Sequence, residues 1–324
     1  VSLKTPFFKT ATLAASFLLS PCAQAWDALP AYNQGTLARS FALPALGQSR
    51  VLGAGQSAFA ADYDLTTEYY ADSNASENLV IDGETSAFAF SWRQGIGRDV
   101  ELSARLPLLI VGGGFMDHFI QQWHKTFGLP NGGREFARND VRQYSYSVNG
   151  VTVLDERRSG TTLGDVELGA GWKLADGIAL RGMLKLPTGS KHRLTGGNWG
   201  GAVWGDFALP FATYSDFDGF ASLGATLAQK SDVLPQQQKT VAVFGGAGMG
   251  YRLTSAFELR SQLYAHSALY KNTDLDGLKK PGLQLTLGGS YRWSPGTSLD
   301  VFFQEDAVTN SSPDFSLHLG LRWN

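Results

Sequence analysis

The last ten residues, Phe315-Ser-Leu-His-Leu-Gly-Leu-Arg-Trp-Asn324, constrain the fold more than any other stretch. Phe315, Leu317, Leu319, Leu321 and Trp323 recur at period two, with Ser316, His318, Gly320 and Arg322 between them. A strand rises about 3.3 Å per residue and alternates its faces, so this stretch presents one apolar wall and one wet wall. The alternation returns along the chain in segments of about ten residues, the reach of a tilted strand across a bilayer. The 38 glycines and 12% aromatic content suit a chain rich in strands, turns and aromatic girdles. The formal net charge of −2 suggests neither a nucleic-acid partner nor an electrostatic membrane patch.

Residues 1–25 read as a cleaved signal peptide. Lys4 and Lys9 precede the apolar run Ala11 to Leu19, and Ala23-Gln-Ala25 is a small-x-small cleavage site. Cleavage there moves the net charge to −4 and removes the only cysteine, Cys22. Lipidation at Cys22 is disfavoured by Pro21, which sits where a small residue is expected. An exported, cysteine-free chain has no disulfide or thiol chemistry. Beyond residue 25 the longest apolar approach, Leu106 to Val111, is too short for a spanning helix. Residues 26–48 lack a sustained period and carry Pro30 and Pro44, which predicts a periplasmic lead-in that plugs or skirts a barrel over 49–324.

Phe59, Ala61, Tyr63, Leu65 and Tyr69 alternate with Asp62, Asp64, Thr66 and Glu68, and Ala71 to Ser76 reads as a polar turn. Phe88, Phe90 and Trp92 alternate with Ala89, Ser91 and Arg93; Val100, Leu102, Ala104 and Leu106 alternate with Glu101, Ser103 and Arg105. After an insertion at 111–160, Val166, Leu168, Ala170 and Trp172 oppose Asp165, Glu167 and Lys173, while Ile178, Leu180, Leu184 and Leu186 oppose Arg181 and Lys185. Further strands fall near 199–211, 218–230, 239–252, 256–268, 281–294, 297–308 and 313–323. Short turns alternate with longer polar connections, as in a barrel with both termini in the periplasm. The reading is therefore all-β: a transmembrane antiparallel β-barrel of about twelve strands. Pairing 95 with 99 places Arg93 opposite Glu101, and pairing 174 with 178 places Glu167 opposite Lys185. Asp206, Glu258, Arg260, Arg292, Asp300, His318 and Arg322 join the same inner face. Such charges are costly toward lipid but cheap toward water or one another, so they form either a structurally paired lumen or a selectivity lining.

Within the insertion, Phe115, Phe119, Trp123 and Phe127 recur every four residues with Met116 and Ile120 beside them, and Asp117, His118, Gln121, Gln122, His124 and Lys125 fill the other side. This spacing predicts an amphipathic helix of about three turns, ended at Gly128-Leu-Pro130, on the extracellular side. It packs over the mouth, lies in the outer-leaflet interface, or covers its own barrel's loops. Asn149-Gly150 between Tyr144 to Val148 and Val151 to Asp155 predicts a hairpin with a type I′ turn.

Several stretches carry a resemblance: Asp82-Gly-Glu84, Gly113-Gly-Phe-Met-Asp-His-Phe-Ile120, Phe127-Gly-Leu-Pro-Asn-Gly-Gly-Arg134 and Leu184-Lys-Leu-Pro-Thr-Gly189. They resemble a Gram-negative family of unknown function, DUF3187, over nearly all of the chain after the signal peptide. The C-terminal strand also resembles those of Gram-negative outer-membrane barrels, though its aromatic is penultimate. The resemblance implies an outer-membrane β-barrel and supplies no activity, cofactor or catalytic residue. The Lys-Leu-Pro-Thr-Gly stretch is also similar to one in barrels associated with degradation of aromatic compounds, which points toward hydrophobic solutes.

The five histidines show no metal-site spacing, and no cofactor or metal is expected. His266 and Ser267 are adjacent on a strand and so face opposite ways, which rules them out as a nucleophile–base pair. Gly112-Gly-Gly114 lacks the lysine of a phosphate-binding loop, and Gly245-Gly-Ala-Gly248 suits close packing within a strand. The leading function is passive transport or binding of a small solute, with hydrophobic solutes among the candidates. The alternatives are an outer-leaflet lipid-modifying enzyme using His266 or His318 as base, and a structural or adhesive surface protein. Outer-membrane lipid or lipopolysaccharide is the expected surrounding partner; the oligomeric state stays open.

Overall fold

The computed structural model of the chain describes residues 28–128, 133–210, 216–308 and 311–324, so the signal-peptide expectation for residues 1–25 lies outside the described residues. Twelve strands form the wall: β1 (Ser57–Ser73), β2 (Glu77–Gly95), β3 (Val100–Gly112), β7 (Glu167–Ala175), β8 (Ile178–Lys185), β9 (Gly200–Pro210), β10 (Phe217–Ala228), β11 (Val241–Arg252), β12 (Phe257–His266), β13 (Gly282–Ser294), β14 (Thr297–Val308) and β15 (Phe315–Trp323). The insertion after β3 holds helix α1 (Asp117–Phe127) and the short strands β4 (Gln143–Val148), β5 (Val151–Glu156) and β6 (Gly160–Leu163); a one-turn helix α2 (Asp276–Lys279) precedes β13. Neighbouring wall strands pair antiparallel. The sheet closes where β1 meets β15, with Phe59 opposite Trp323 and Leu65 opposite Leu317. Closure leaves no free strand edge, the condition for a sheet to cross a bilayer.

The period-two pattern sorts the two faces. Leu102, Leu106, Leu168, Trp172, Leu223, Val243, Leu263, Val301 and Leu319 are exposed on the outside, while Asp64, Glu101, Asp206, Gln262, Asp300 and His318 are buried inside. Among the described residues no helix is long and apolar enough to span a membrane, so the crossing elements are the strands.

One end carries the tight connections 96–99, 176–177, 253–256 and 295–296, together with the start of β1 and the end of β15. We refer to this as the turn end, and to the opposite end as the loop end. The expected polar turn at 71–76 is shorter than the sequence pattern suggests, because β1 runs to Ser73 and β2 begins at Glu77. The projecting start of β2 pairs with β4, Leu79 facing Tyr146 and Ile81 facing Tyr144, so β4 and β5 extend the wall at the loop end. Their turn is the predicted one: Asn149 (φ 50°) and Gly150 (φ 75°) both lie in the left-handed region that a type I′ turn requires. Tyr144 and Tyr146 are buried with lumen residues, so this hairpin helps to close the loop end.

Ala61 and Leu321 are register partners across the closing seam. Ala61→Cys/Leu321→Cys, in a Cys22→Ser background, should cross-link on oxidation and shift the denatured band in non-reducing electrophoresis. Failure to cross-link while the protein stays folded would contradict the closed ring.

Candidate functional site

The lumen is occupied by the chain's own lead-in. Ala28, Leu29, Leu37, Phe41, Ala42, Leu43 and Leu46 are all at most 8% exposed. The segment ascends from Ala28, turns through a single 3-10 turn at Leu37–Ser40, and descends to β1. Its legs meet near the turn end, where the Ala28 N–H donates to the Gly47 carbonyl at 3.4 Å. Gly47 has φ 83°, and a Cβ there would stand 2.4 Å from the Ala28 Cβ and 2.9 Å from the Phe220 ring, so only glycine fits.

A segment that is neither strand nor long helix brings many unpaired backbone groups into a buried place, and each must find a partner. The wall supplies them. The Gln262 amide takes both groups of Leu29, accepting its N–H at 2.7 Å and donating to its carbonyl at 3.1 Å. The Gly47 N–H reaches Asp206 Oδ1 at 2.9 Å and Ser222 Oγ at 3.2 Å. The Leu52 N–H donates to Glu101 Oε2 at 2.7 Å. Arg181 donates to the carbonyls of Gln48 (2.8 Å) and Arg50 (2.9 Å), and Arg93 donates to the Arg50 carbonyl at 2.9 Å. Higher up, the Thr36 N–H bonds Glu68 at 2.9 and 3.1 Å, Tyr270 donates to the Leu37 carbonyl at 2.8 Å, and Asn198 donates to the Ser40 carbonyl at 2.8 Å. Carboxylates and guanidinium groups make stronger hydrogen bonds than neutral partners.

The charged residues read from the sequence fall into three groups. Those gathered around the lead-in are Arg93, Glu101, Arg181, Arg105, Glu167, Asp165, Lys185 and His318. Glu101, wholly buried, sits between Arg93 (2.9 Å) and Arg181 (2.6 Å), and Arg181 also meets Asp206 at 3.2 Å. Arg105 donates to the Tyr32 hydroxyl at 2.9 Å and lies 3.6 Å from Glu167. His318 Nδ1 is 2.6 Å from Asp64, its ring stacked 4.2 Å from Phe302. A second group pairs within the wall: Glu258 with Arg260 at 2.6 Å, and Arg322 with Asp300 at 2.5 Å. The third lies at the turn-end rim, where exposed Lys173 pairs with Asp176 at 2.6 Å and Arg292 donates to the Ser255 carbonyl at 3.4 Å.

Both expected cross-strand pairings need amendment. Arg93 and Glu101 do pair, but diagonally: Ser103 is the register partner of Arg93, and Gly95 that of Glu101. Glu167 is indeed opposite Lys185, yet Lys185 turns to Asp165 and to the Asn198 carbonyl (2.8 Å) while Glu167 turns to Arg105. Here the Lys-Leu-Pro-Thr-Gly stretch becomes a clasp. Thr188 Oγ1 accepts the Val166 N–H and donates to the Gly164 carbonyl, each at 2.8 Å, and the Gly189 N–H donates to Asp165 Oδ1 at 2.8 Å.

The sequence pattern did not disclose an apolar half of the lumen. Trp204, Phe220, Phe244 and Tyr264 point inward and form one buried cluster with Phe41, Leu43 and Leu46. Their signal is parity, since they share the register of Asp206, Ser222 and Gln262. Gly246 makes room for the lead-in, as a Cβ there would stand 3.1 Å from Leu46 Cδ1.

A tapering series of cavities runs beside the lead-in. It begins at the turn end with about 700 Å³ bordered by Arg50, Arg93, Arg292 and Arg322. It continues as about 150 Å³ along Tyr32, Asp62, Arg105, Glu167 and His318. Pockets of about 60 and 50 Å³ near Phe41 and Tyr270 follow toward the loop end. His266 is taken up by Asn33 (2.7 Å) and the Ser267 carbonyl (2.9 Å). Among the described residues neither His266 nor His318 hydrogen-bonds a serine or threonine hydroxyl, and no cluster of potential ligands could hold a metal ion.

A closed twelve-stranded wall, apolar outside and polar inside, with a folded segment in its lumen defines an outer-membrane β-barrel. The chain belongs to the DUF3187 family, described as a protein of unknown function, whose profile matches residues 11–324. No curated protein sequence matches it. Among solved structures it is similar to the COG4313 outer membrane channel from Pseudomonas putida F1, at 13% identity and a TM-score of 0.54, covering 86% of this chain and 98% of that one. The toluene transporter TbuX from Ralstonia pickettii is matched at 10% identity and a TM-score of 0.43, over 92% of this chain and 95% of that one. The translocator domain of the autotransporter NalP from Neisseria meningitidis gives 11% and 0.44, over 85% and 89%. At these identities the likeness concerns the fold.

Glu101→Gln should leave Arg93 and Arg181 buried with half their compensation and destabilise the barrel by about 3–5 kcal/mol. Adding Arg181→Gln should recover part of that loss in urea unfolding from detergent micelles. A Glu101→Gln variant as stable as the parent would show that this ion cluster does not hold the lead-in.

Proposed function

We propose that the protein is a plugged outer-membrane channel for passive passage of a small apolar solute. The residue 28–52 segment is its closing element, and the loop end faces outward. One observation carries the reading: the lumen is filled by a segment bound mainly through side chains of the wall, beside a row of separate cavities. A segment held by side chains can leave without breaking the sheet, whereas a lumen closed by the wall's own packing cannot open that way. The inward ring of Trp204, Phe220, Phe244 and Tyr264 supports an apolar solute, because displacing the lead-in would expose an aromatic surface to whatever passes.

The lipid-modifying alternative is weaker, since both inward histidines are engaged: His266 by the lead-in itself and His318 by Asp64. The idea that α1 gates the mouth gives way as well, because α1 packs on the outside of the wall against Leu65 and Phe315.

The test is a reversible lock. The Ala42 Cβ lies 3.2 Å from where a Gly200 Cβ would stand, close to the ordinary disulfide spacing of about 3.5–4.5 Å. In planar bilayers the oxidised Ala42→Cys/Gly200→Cys variant, built on Cys22→Ser, should be silent, and reduction should restore the conductance steps of the parent. A variant with residues 28–52 replaced by a Gly/Ser linker should give larger steps and faster uptake of toluene than of glucose into cells. Steps unchanged by the lock would remove the lead-in as the gate. Equal gain for both solutes would remove the apolar preference.

A further inference from the structure

Of the four residues expected on the helix stripe, Phe119, Trp123 and Phe127 lie on α1 while Phe115 precedes its start, and the three leave an unexplained surface on the outer wall. Three sequence stretches meet at the root of this helix. The Glu84 carboxylate accepts the N–H groups of Phe115 (3.3 Å) and Met116 (3.1 Å), which satisfies backbone donors at the helix start. Gly114 is packed so closely on Glu84 that a Cβ would stand 2.3 Å from its carboxyl carbon. Arg134, only 1% exposed, pairs with Asp117 and with Asp314 (2.5 Å) and donates to Thr67 Oγ1 at 3.2 Å. Burial pushes the Asp314 carboxyl above the usual carboxylate range against the pull of Arg134. Thr67 and Glu84 are register partners on the face of β1 and β2 that points away from the lumen. This charged root therefore fixes α1 to the outside of the barrel.

At about 100° per residue the helix has three flanks. Asp117 and His124, expected on the polar side, are instead buried against the wall with Ile120, Asp117 being drawn in by Arg134. Phe119, Trp123 and Phe127 lie about 90° to one side, and His118, Gln122 and Lys125 lie opposite them. The aromatic flank points toward the middle of the wall. Trp123 meets Phe303 at 5.6 Å and Phe315 at 5.8 Å, and Phe303 is one step deeper than Phe315, being paired with Leu317. Phe119 and Phe127 remain 46% and 61% exposed. Below them, Phe303 and Leu317 border an apolar outer groove of about 510 Å³ with Met249, Leu259, Leu287 and Val301.

We propose that α1 is an interfacial helix whose aromatic flank, with this groove, seats an acyl chain of an outer-leaflet lipid. The occupant follows from continuity, since the groove is part of the barrel's lipid-facing row. The helix orientation then places aromatic rings on the bilayer side and polar residues on the water side, as for helices lying in a membrane interface. Lipid stands here for the acyl chain, whichever headgroup carries it.

Spin labels placed singly at positions 119, 127, 118 and 122, in Cys22→Ser protein reconstituted into dimyristoylphosphatidylcholine vesicles, test the orientation. Collision with oxygen relative to a water-soluble nickel chelate should be several-fold higher at 119 and 127 than at 118 and 122. Native mass spectrometry of the released protein should retain phospholipid, and Val301→Trp, which fills the groove at a lipid-facing position, should lose it. Chelate access at 119 and 127 equal to that at 118 and 122 would overturn the orientation. Absence of retained phospholipid would overturn the seat. A dimer mass with label 127 shielded from both reagents would assign the groove to a second copy instead.

Discussion

Backbone groups inside a barrel must be bonded, and the structure depends on how this requirement is met for the segment 28–52. Leaving a buried N–H or C=O unpaired costs about 1–3 kcal/mol, so a non-strand segment can sit in a lumen only where the wall offers partners at its heights. Gln262, Asp206, Ser222, Glu101, Arg181 and Glu68 do so. These side chains are buried themselves, and they in turn need one another: Glu101 compensates Arg93 and Arg181, and Asp206 completes Arg181. The inner charges are therefore better understood as the hydrogen-bonding lattice of the closed state than as a lining for a charged solute. Opening would exchange this lattice for water, which carboxylates and guanidinium groups accept at little cost.

Two stretches of the lumen wall divide the work. One side, from β1 through β8, meets the lead-in mostly with charge and borders the cavities. Another, from β9 through β12, adds the aromatic surface of Trp204, Phe220, Phe244 and Tyr264 beside the polar groups of Asp206, Ser222 and Gln262. Apolar contacts give burial without direction, and charged ones give register. The combination lets a segment of few internal bonds hold one position.

The architecture was legible because strand period, bilayer span and turn length are all local properties of sequence. The Asn149-Gly150 hairpin and the helix at Asp117–Phe127 follow from local chemistry in the same way. The lumen was legible only in part. Period two assigns Arg93 and Glu101 to the inner face, but which residues touch depends on a register that a two-residue shift changes and on side chains that reach diagonally. Lys185 illustrates the second effect, since its register partner is Glu167 but its ammonium goes to Asp165. The lead-in was legible as aperiodic chain, yet only its long-range bonds to residues such as Asp206 and Gln262 show that it enters the lumen. The position of α1 depends on Glu84 and Arg134, which lie far apart in sequence and meet only in the folded wall.

The decisive measurement is hydrogen exchange at the amides of Leu29, Thr36, Gly47 and Leu52 in the folded protein in detergent micelles. Each of these N–H groups bonds a wall side chain and none belongs to a strand. With the lead-in seated, exchange at these four amides is expected to be orders of magnitude slower than in an unstructured peptide. Faster, uniform exchange at all four is predicted for Glu101→Gln/Arg181→Gln, with the strands still protected. Peptide-like exchange at these four amides in the parent protein, beside protected strands, would contradict a lumen closed by its own lead-in.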